Sequence, residues 1–133
     1  MMEREPTRRR RAAERRGRRA ERLVALWLSL QGWRILDRRA RTAAGEIDLV
    51  ARRGRVLAFV EVKRRAAMAS AAEAVSPRQR ARLLRAAALW RAARPDCSGL
   101  EPRFDVMLTA PWRPPRHLPG AFRAEGEDAA RLL

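Results

Sequence analysis

The stretch GEIDLVARRGRVLAFVEVKRR, Gly45 to Arg65, decides how this chain is read. Two runs rich in β-branched residues flank Arg53-Gly54, a pattern that predicts a β-hairpin. With Arg53-Gly54 as a two-residue turn, Arg52 faces Arg55, Asp48 lies opposite Phe59, and Glu46 lies opposite Glu61. Strand side chains alternate between faces, so Asp48, Glu61 and Lys63 share one face and Val60 and Val62 the other. Asp48 and Glu61 become diagonal neighbours, with Cβ atoms roughly 7 Å apart or less, close enough for their carboxylates to share a cation. A turn of odd length would put Asp48 on the opposite face and break the site.

Lys63 is the only lysine among 31 basic residues; every other one is arginine. A guanidinium stays charged at any ordinary pH, whereas an ammonium is a compact charge whose proton affinity can be moved. Two carboxylates beside an ammonium suit Mg²⁺ chemistry on phosphates. Mg²⁺ takes one or two carboxylates, several waters and substrate phosphate oxygens, and a neighbouring lysine can position water or offset transition-state charge. The plainer reading is a surface strand with an i,i+2 ion pair, and for an isolated E-x-K that reading is the commoner one.

Working outward, Ala20, Leu23, Val24, Trp27 and Leu30 recur at helical spacing, which predicts a helix from Arg18 to Gln31 with Gly32 as its stop. The segment WRILDRRART (33–42) reads as a short strand entering a polar loop. AAMASAAEAV (66–75) reads as a loop or partial helix. Ser76-Pro77 opens a second helix, with Gln79 placed for a capping box and Leu83, Ala87 and Trp90 on one stripe. RFDVMLTA (103–110) is a further strand, and PWRPPRHLPGAF (111–122) reads as irregular. The order α-β-β-β-α-β predicts an α/β domain, a mixed sheet flanked by helices. A mobile basic arm is expected over residues 1–17, the folded domain over 18–122 and a tail over 123–133.

At 133 residues the chain has room for one domain and one modest core. Its single cysteine, Cys97, excludes an internal disulfide and fits a cytoplasmic location. No apolar run approaches a membrane span, so no membrane association is expected. The net charge of +16 is not confined to the arm: seven Arg and three Glu there give +4, leaving +12 elsewhere. Codon bias toward Arg would exchange it for Lys without changing that sum. A polyanion partner follows, nucleic acid first, with ribosomal surface or anionic lipid behind it.

The motifs GEIDLV, FVEVKRR, RFDV and HLPGAF together resemble the YraN family of bacterial proteins, over about Gly17 to Phe122. The resemblance implies a restriction-endonuclease-like fold of the PD-(D/E)XK nuclease superfamily. It implies Asp48 as the metal-binding aspartate, Glu61 and Lys63 as the E-x-K element with Glu61 a second metal ligand, and Glu21 as the acidic residue of the first helix. It implies Mg²⁺ as cofactor and DNA, branched DNA included, as the substrate class. A homodimer is also in keeping with it, since enzymes of this superfamily often pair to cut two strands. The chain has Ala20 where the family often has Gly, and Gln79 where it commonly has Lys. Gln79 at this place is similar to recombination-type nucleases, but its capping role explains it equally well. Arg64, Arg65, Arg78, Arg80 and Arg82 are the candidate nucleic-acid contacts.

Other residues have structural readings first. Glu21 could be a solvated helix residue, and Glu46 could extend the acidic cluster or end its strand. Asp105, between Phe104 and Val106, is expected to pair with an Arg. His117 has no acid pattern around it, which argues against a metal or catalytic role. Trp27, Trp33 and Trp90 read as core, and Trp112 as exposed. Two rival functions remain at this level: a catalytically silent nucleic-acid-binding module, and a basic RNA- or ribosome-associated protein. No Gly-rich phosphate loop or nucleophile–base pair points to a small-molecule enzyme.

Overall fold

The computed structural model describes residues 7–64 and 75–124, the side chains of Ala13 and Arg16 excepted. Arg65 and nearly all of the 66–75 segment lie outside that range, as do residues 1–6 and 125–133.

Helix α1 runs Arg8–Leu30, beginning well ahead of the expected Arg18. Thr7 caps it, its Oγ1 accepting the Arg10 N–H at 3.3 Å, and the arginines that follow are good helix formers. The described part of the basic segment is therefore helical, because capping and propensity suffice where apolar periodicity is missing. At its other end Gly32, with φ +88°, turns the chain, and the Trp33 N–H donates to the Leu28 carbonyl.

Strands β1 (Arg34–Thr42), β2 (Gly45–Arg53) and β3 (Val56–Arg64) follow, then helix α2 (Pro77–Ala92), a 3₁₀ turn (Pro95–Cys97), and strands β4 (Glu101–Thr109) and β5 (Arg116–Phe122). They form one five-stranded sheet in the order β1-β2-β3-β4-β5. β1, β2 and β3 are an antiparallel meander. β4 lies parallel to β3, reached by a crossover that includes α2, and β5 returns antiparallel to β4. The α/β class and mixed sheet thus follow the expected order, with β5 added where irregular chain was expected. Its strand is legible only through pairing, since Pro119 and Gly120 mask the alternation and an edge strand tolerates both.

Alternation along β3 divides the core in two. Ala58 and Val60 pack with Val24, Ala25, Leu28 and Trp33 on the α1 face. Leu57 and Phe59 pack with Leu83, Ala87 and Trp90 on the α2 face. Phe59 meets Trp90 edge-on at 5.8 Å and stacks on Phe104 at 5.6 Å. The α1 stripe differs from expectation: Ala20, Val24, Ala25 and Leu28 are buried, while Leu23 and Leu30 are exposed. The helix is rotated to bring Ala25 and Leu28 inward, since small residues let it approach the sheet closely.

No helix among the described residues is long and apolar enough to cross a membrane. Cys97 is a buried free thiol.

Candidate active site on the central hairpin

The β2–β3 turn is Gly54-Arg55, since Arg53 pairs with Val56. Gly54 has φ +60° and Arg55 does not share the left-handed region, which is the type II′ pattern with Gly first. An Arg53-Gly54 turn of type I′ would have placed Arg53 in that strained region instead. The register therefore shifts by two from the expected one, and because the shift is even the paired residues Leu49–Arg53 and Val56–Val60 keep their faces. Glu46 is no longer opposite Glu61, and Asp48 no longer opposite Phe59. Pairing ends at Leu49–Val60, the pleat breaks between Ile47 on the α2 side and Leu49 on the α1 side, and the Asp48 carboxyl comes within interaction range of Glu61.

That juxtaposition sets the chemistry. Lys63 Nζ lies 3.2 Å from Glu61 Oε1, with both side chains largely buried. The Val62 N–H donates to Asp48 Oδ2 at 2.8 Å. Burial, and then the Glu61 charge, push the Asp48 carboxyl up from an ordinary 3.8 to about 7, against the pull of the Val62 N–H. The pair holds a proton, or a cation in its place, more readily than two solvated acids do.

Glu21 reaches the same site from α1. Its Oε2 takes the Arg39 Nε at 2.8 Å, and its charge adds to the rise at Asp48. Arg39 was not singled out by sequence, being one arginine among many. Its backbone marks it: φ is +49° within a strand, a strained conformation that gathers at functional sites. The Glu21 hydrogen bond holds its guanidinium pKa above the ordinary value, outweighing desolvation, and the charges of Glu21, Glu46 and Asp48 act in the same sense. Glu46 sits at the rim, half exposed and 3.4 Å from Arg41. Arg18, Glu21, Arg22, Arg38 and Arg39 line a depression of about 320 Å³.

The second helix contributes differently. Gln79 Oε1 accepts the Ser76 N–H and the Gln79 N–H donates to Ser76 Oγ, both at 3.2 Å, so its side chain closes the capping box. Arg80 Nε donates to the Val75 carbonyl, and its guanidinium stands 5.8 Å from the Phe122 ring. Arg82 lies against Gly45, where an added Cβ would come within 3.1 Å of its Cδ. Gly45 also has φ +131°, a backbone conformation that other residues rarely adopt, and this accounts for the glycine opening GEIDLV. Arg78 is exposed, and Arg64 ends β3 next to the site.

A separate polar cluster ties β5 to β4. Buried Asp105 accepts two hydrogen bonds from Arg103, each 2.8 Å, and one from the Gly120 N–H at 3.0 Å. His117 Nε2 lies 2.7 Å from Asp105 Oδ2. The expected Asp–Arg pair is present, and the acid partner that His117 lacked in sequence comes from the neighbouring strand.

A carboxylate pair and a lysine on a central hairpin, with an acid from the first helix nearby, make up the candidate site of this α/β protein. Residues 20–109 match the model of the uncharacterised protein family UPF0102, and the chain belongs to that family. A UPF0102 protein of Maricaulis maris is 54% identical over 96% of this chain and 99% of its own length. One from Paramagnetospirillum magneticum is 51% identical, covering 90% and 96% respectively. One from Caulobacter vibrioides is 53% identical, covering 84% and 89%.

Proposed function

We propose that this protein binds nucleic acid, DNA first, and hydrolyses its phosphodiester bonds with Mg²⁺. The observation that carries the reading is the buried Asp48–Glu61 pair with the lone lysine, Lys63, on Glu61. Two like charges brought together out of water leave a deficit of positive charge that a divalent cation fills. Among the described residues no group of three or more His, Cys, Asp and Glu side chains encloses an ion. Mg²⁺ needs fewer protein ligands than such a group would supply, one or two carboxylates, with waters and phosphate oxygens completing its shell.

Asp48 and Glu61 would hold the ion, each with one oxygen already committed to a protein donor. When bound, Mg²⁺ supplies Lewis-acid stabilisation of a phosphate oxygen and makes a water more acidic. Glu61 fixes the Lys63 ammonium through their ion pair, and Lys63 orients the attacking water or offsets charge growing on the phosphate. Glu21 anchors Arg39, which can contact a substrate phosphate from the depression it lines. Arg18, Arg22 and Arg38 extend that basic surface along α1 and β1.

The experiment is incubation of the purified chain with end-labelled linear, branched and single-stranded DNAs and an RNA, with and without Mg²⁺. Mg²⁺-dependent cleavage lost in Asp48→Ala supports the reading. Binding without cleavage by the wild type on every substrate would favour a silent binding module. No binding at all would refute both.

A further inference from the structure

The segment joining β4 to β5 holds an aromatic side chain that contributes nothing to the core. The Arg113 N–H donates to the Ala110 carbonyl at 3.4 Å, closing a tight turn around Pro111 and Trp112. Trp112 has φ +63°. With proline before it, this is the type II pattern, whose third residue is normally Gly or Asn. A bulky residue is strained there. The Trp112 side chain is nevertheless fully exposed, at 102% of its reference area. Trp33 and Trp90 are buried, and Trp27 packs against the α1-side core. Neither burial nor backbone preference accounts for tryptophan at position 112.

Its location does. β4 runs parallel to β3, with Lys63 beside Leu108 and Arg64 beside Thr109, so the turn leaves the sheet at the end that carries Lys63. Thr109, Ala110 and Pro111 line a depression of about 320 Å³ together with Arg19, Leu23 and Arg64. Exposed Arg113 and Arg116 follow. Pro111, Pro114 and Pro115 restrict the backbone on both sides of the ring. A stiff turn thus holds a flat aromatic surface amid guanidinium groups, at the end of the sheet that carries Lys63.

We propose that Trp112 is a stacking platform for an unpaired base of the nucleic acid, with flanking phosphates drawn along the Arg19 and Arg64 side of the depression. This rests on the reading above and narrows its substrate to nucleic acid with a single-stranded stretch beside the bond to be cut. Every base has a π face, so such stacking tolerates any sequence. Bases inside a duplex have both faces covered by neighbours and offer none.

The test is binding of the full chain, with Ca²⁺ replacing Mg²⁺, to three fluorescent DNAs: a blunt duplex, the same duplex with a single-stranded tail, and the tail alone. Trp112→Ala is expected to weaken binding to the tailed and single-stranded probes roughly tenfold, the scale of one lost stacking contact. The blunt duplex should bind as before, and Trp112→Phe should keep most of the affinity. Because the side chain is exposed, thermal melting of the variants should match or exceed that of the wild type. Equal losses on all three probes, or none, would overturn the platform while leaving the nucleic-acid reading intact. Failure of the wild type to bind any probe or an RNA would overturn both. Phosphatidylglycerol vesicles form a control: capture that depends on Trp112, with DNA affinities unchanged, would assign the ring to a lipid surface instead.

Discussion

Asp48 Oδ2 accepts the Val62 N–H at 2.8 Å, so the carboxylate that interacts with Glu61 also clamps β2 to β3 just past their Leu49–Val60 pair. On the proposed reading, chemistry and strand pairing depend on the same side chain, and changes at Asp48 should register in both.

Protonation is the first consequence. The Asp48 pKa is raised from 3.8 to about 7. Between those values the native chain keeps a proton that the unfolded chain releases, so stability is greatest at the acid end of the window and declines as pH rises through it. Asp48→Asn keeps an oxygen for Val62 and removes the charge. It should be more stable than the wild type at pH 8, by an amount on the order of a few kcal/mol, with the gap narrowing at pH 5. Urea unfolding at both pH values checks this. On the Mg²⁺ reading, added Mg²⁺ at pH 8 should raise the melting temperature of the wild type and not of the variant.

Lys63→Arg preserves charge beside Glu61 but not size or proton affinity. If Lys63 serves only as an ion-pair partner, the change should be nearly silent. In a nuclease, single-turnover cleavage should fall by roughly two orders of magnitude or more, the scale for losing one preorganised charge-stabilising group. DNA affinity in Ca²⁺ should stay near that of the wild type, and extra Mg²⁺ should not restore the rate. Cleavage at the wild-type rate would return Lys63 to a structural role.

Asp105 offers a contrast, a buried acid with every partner in place. Burial alone would raise its pKa, but hydrogen bonds from His117, Arg103 and the Gly120 N–H outweigh that and hold it below 3.8. Its stabilisation is full above the ordinary carboxylate value and is lost as pH falls through the lower native one. Asp105→Ala removes the shared acceptor of the partly exposed Arg103, of His117 and of the Gly120 N–H and should cost about 1–3 kcal/mol. Chemical denaturation at pH 7 measures the loss. A cost under about 1 kcal/mol would mean the network adds little to holding β5.

Arg8, Arg15 and Arg22 recur every seven residues on one face of α1, all three exposed. If they track phosphates, changing all three to Gln should weaken binding to every DNA sequence alike. The slope of log K against log salt should drop by about 2–3. An unchanged slope would show that the helix face is a spectator.

Much of this architecture could be read from sequence because the central elements obey strong local rules. Ser76, Pro77 and Gln79 announce α2, and the alternation around Val60 and Val62 announces β3. The hairpin was placed correctly but its turn lay one residue further on, at Gly54-Arg55, because sequence alone does not say whether glycine comes first or second. The site survived that difference because a shift of two leaves β3 side chains on their faces and moves Asp48 nearer Glu61. Arg39 stayed hidden because nothing local predicts a left-handed residue inside a strand. His117 and Asp105 were each visible, but their contact depends on the pairing of β4 with an edge strand whose proline and glycine disguise it.

Because α1 is helical from Arg8 onward, the basic segment acts as a rigid gauge. At 1.5 Å per residue, Arg8 stands about 20 Å along the axis from Glu21, the length of about six phosphate steps on one strand of duplex. A coil of the same composition would sample many distances; a rod fixes one. On the proposed reading, incision therefore falls at a set offset from the outermost phosphate contact, and a duplex flank shorter than that offset forfeits the distal arginines. Deleting one full helical turn within the exposed part of α1 should move the edge of the nuclease-protected footprint inward by one to two nucleotides while leaving the cut position unchanged.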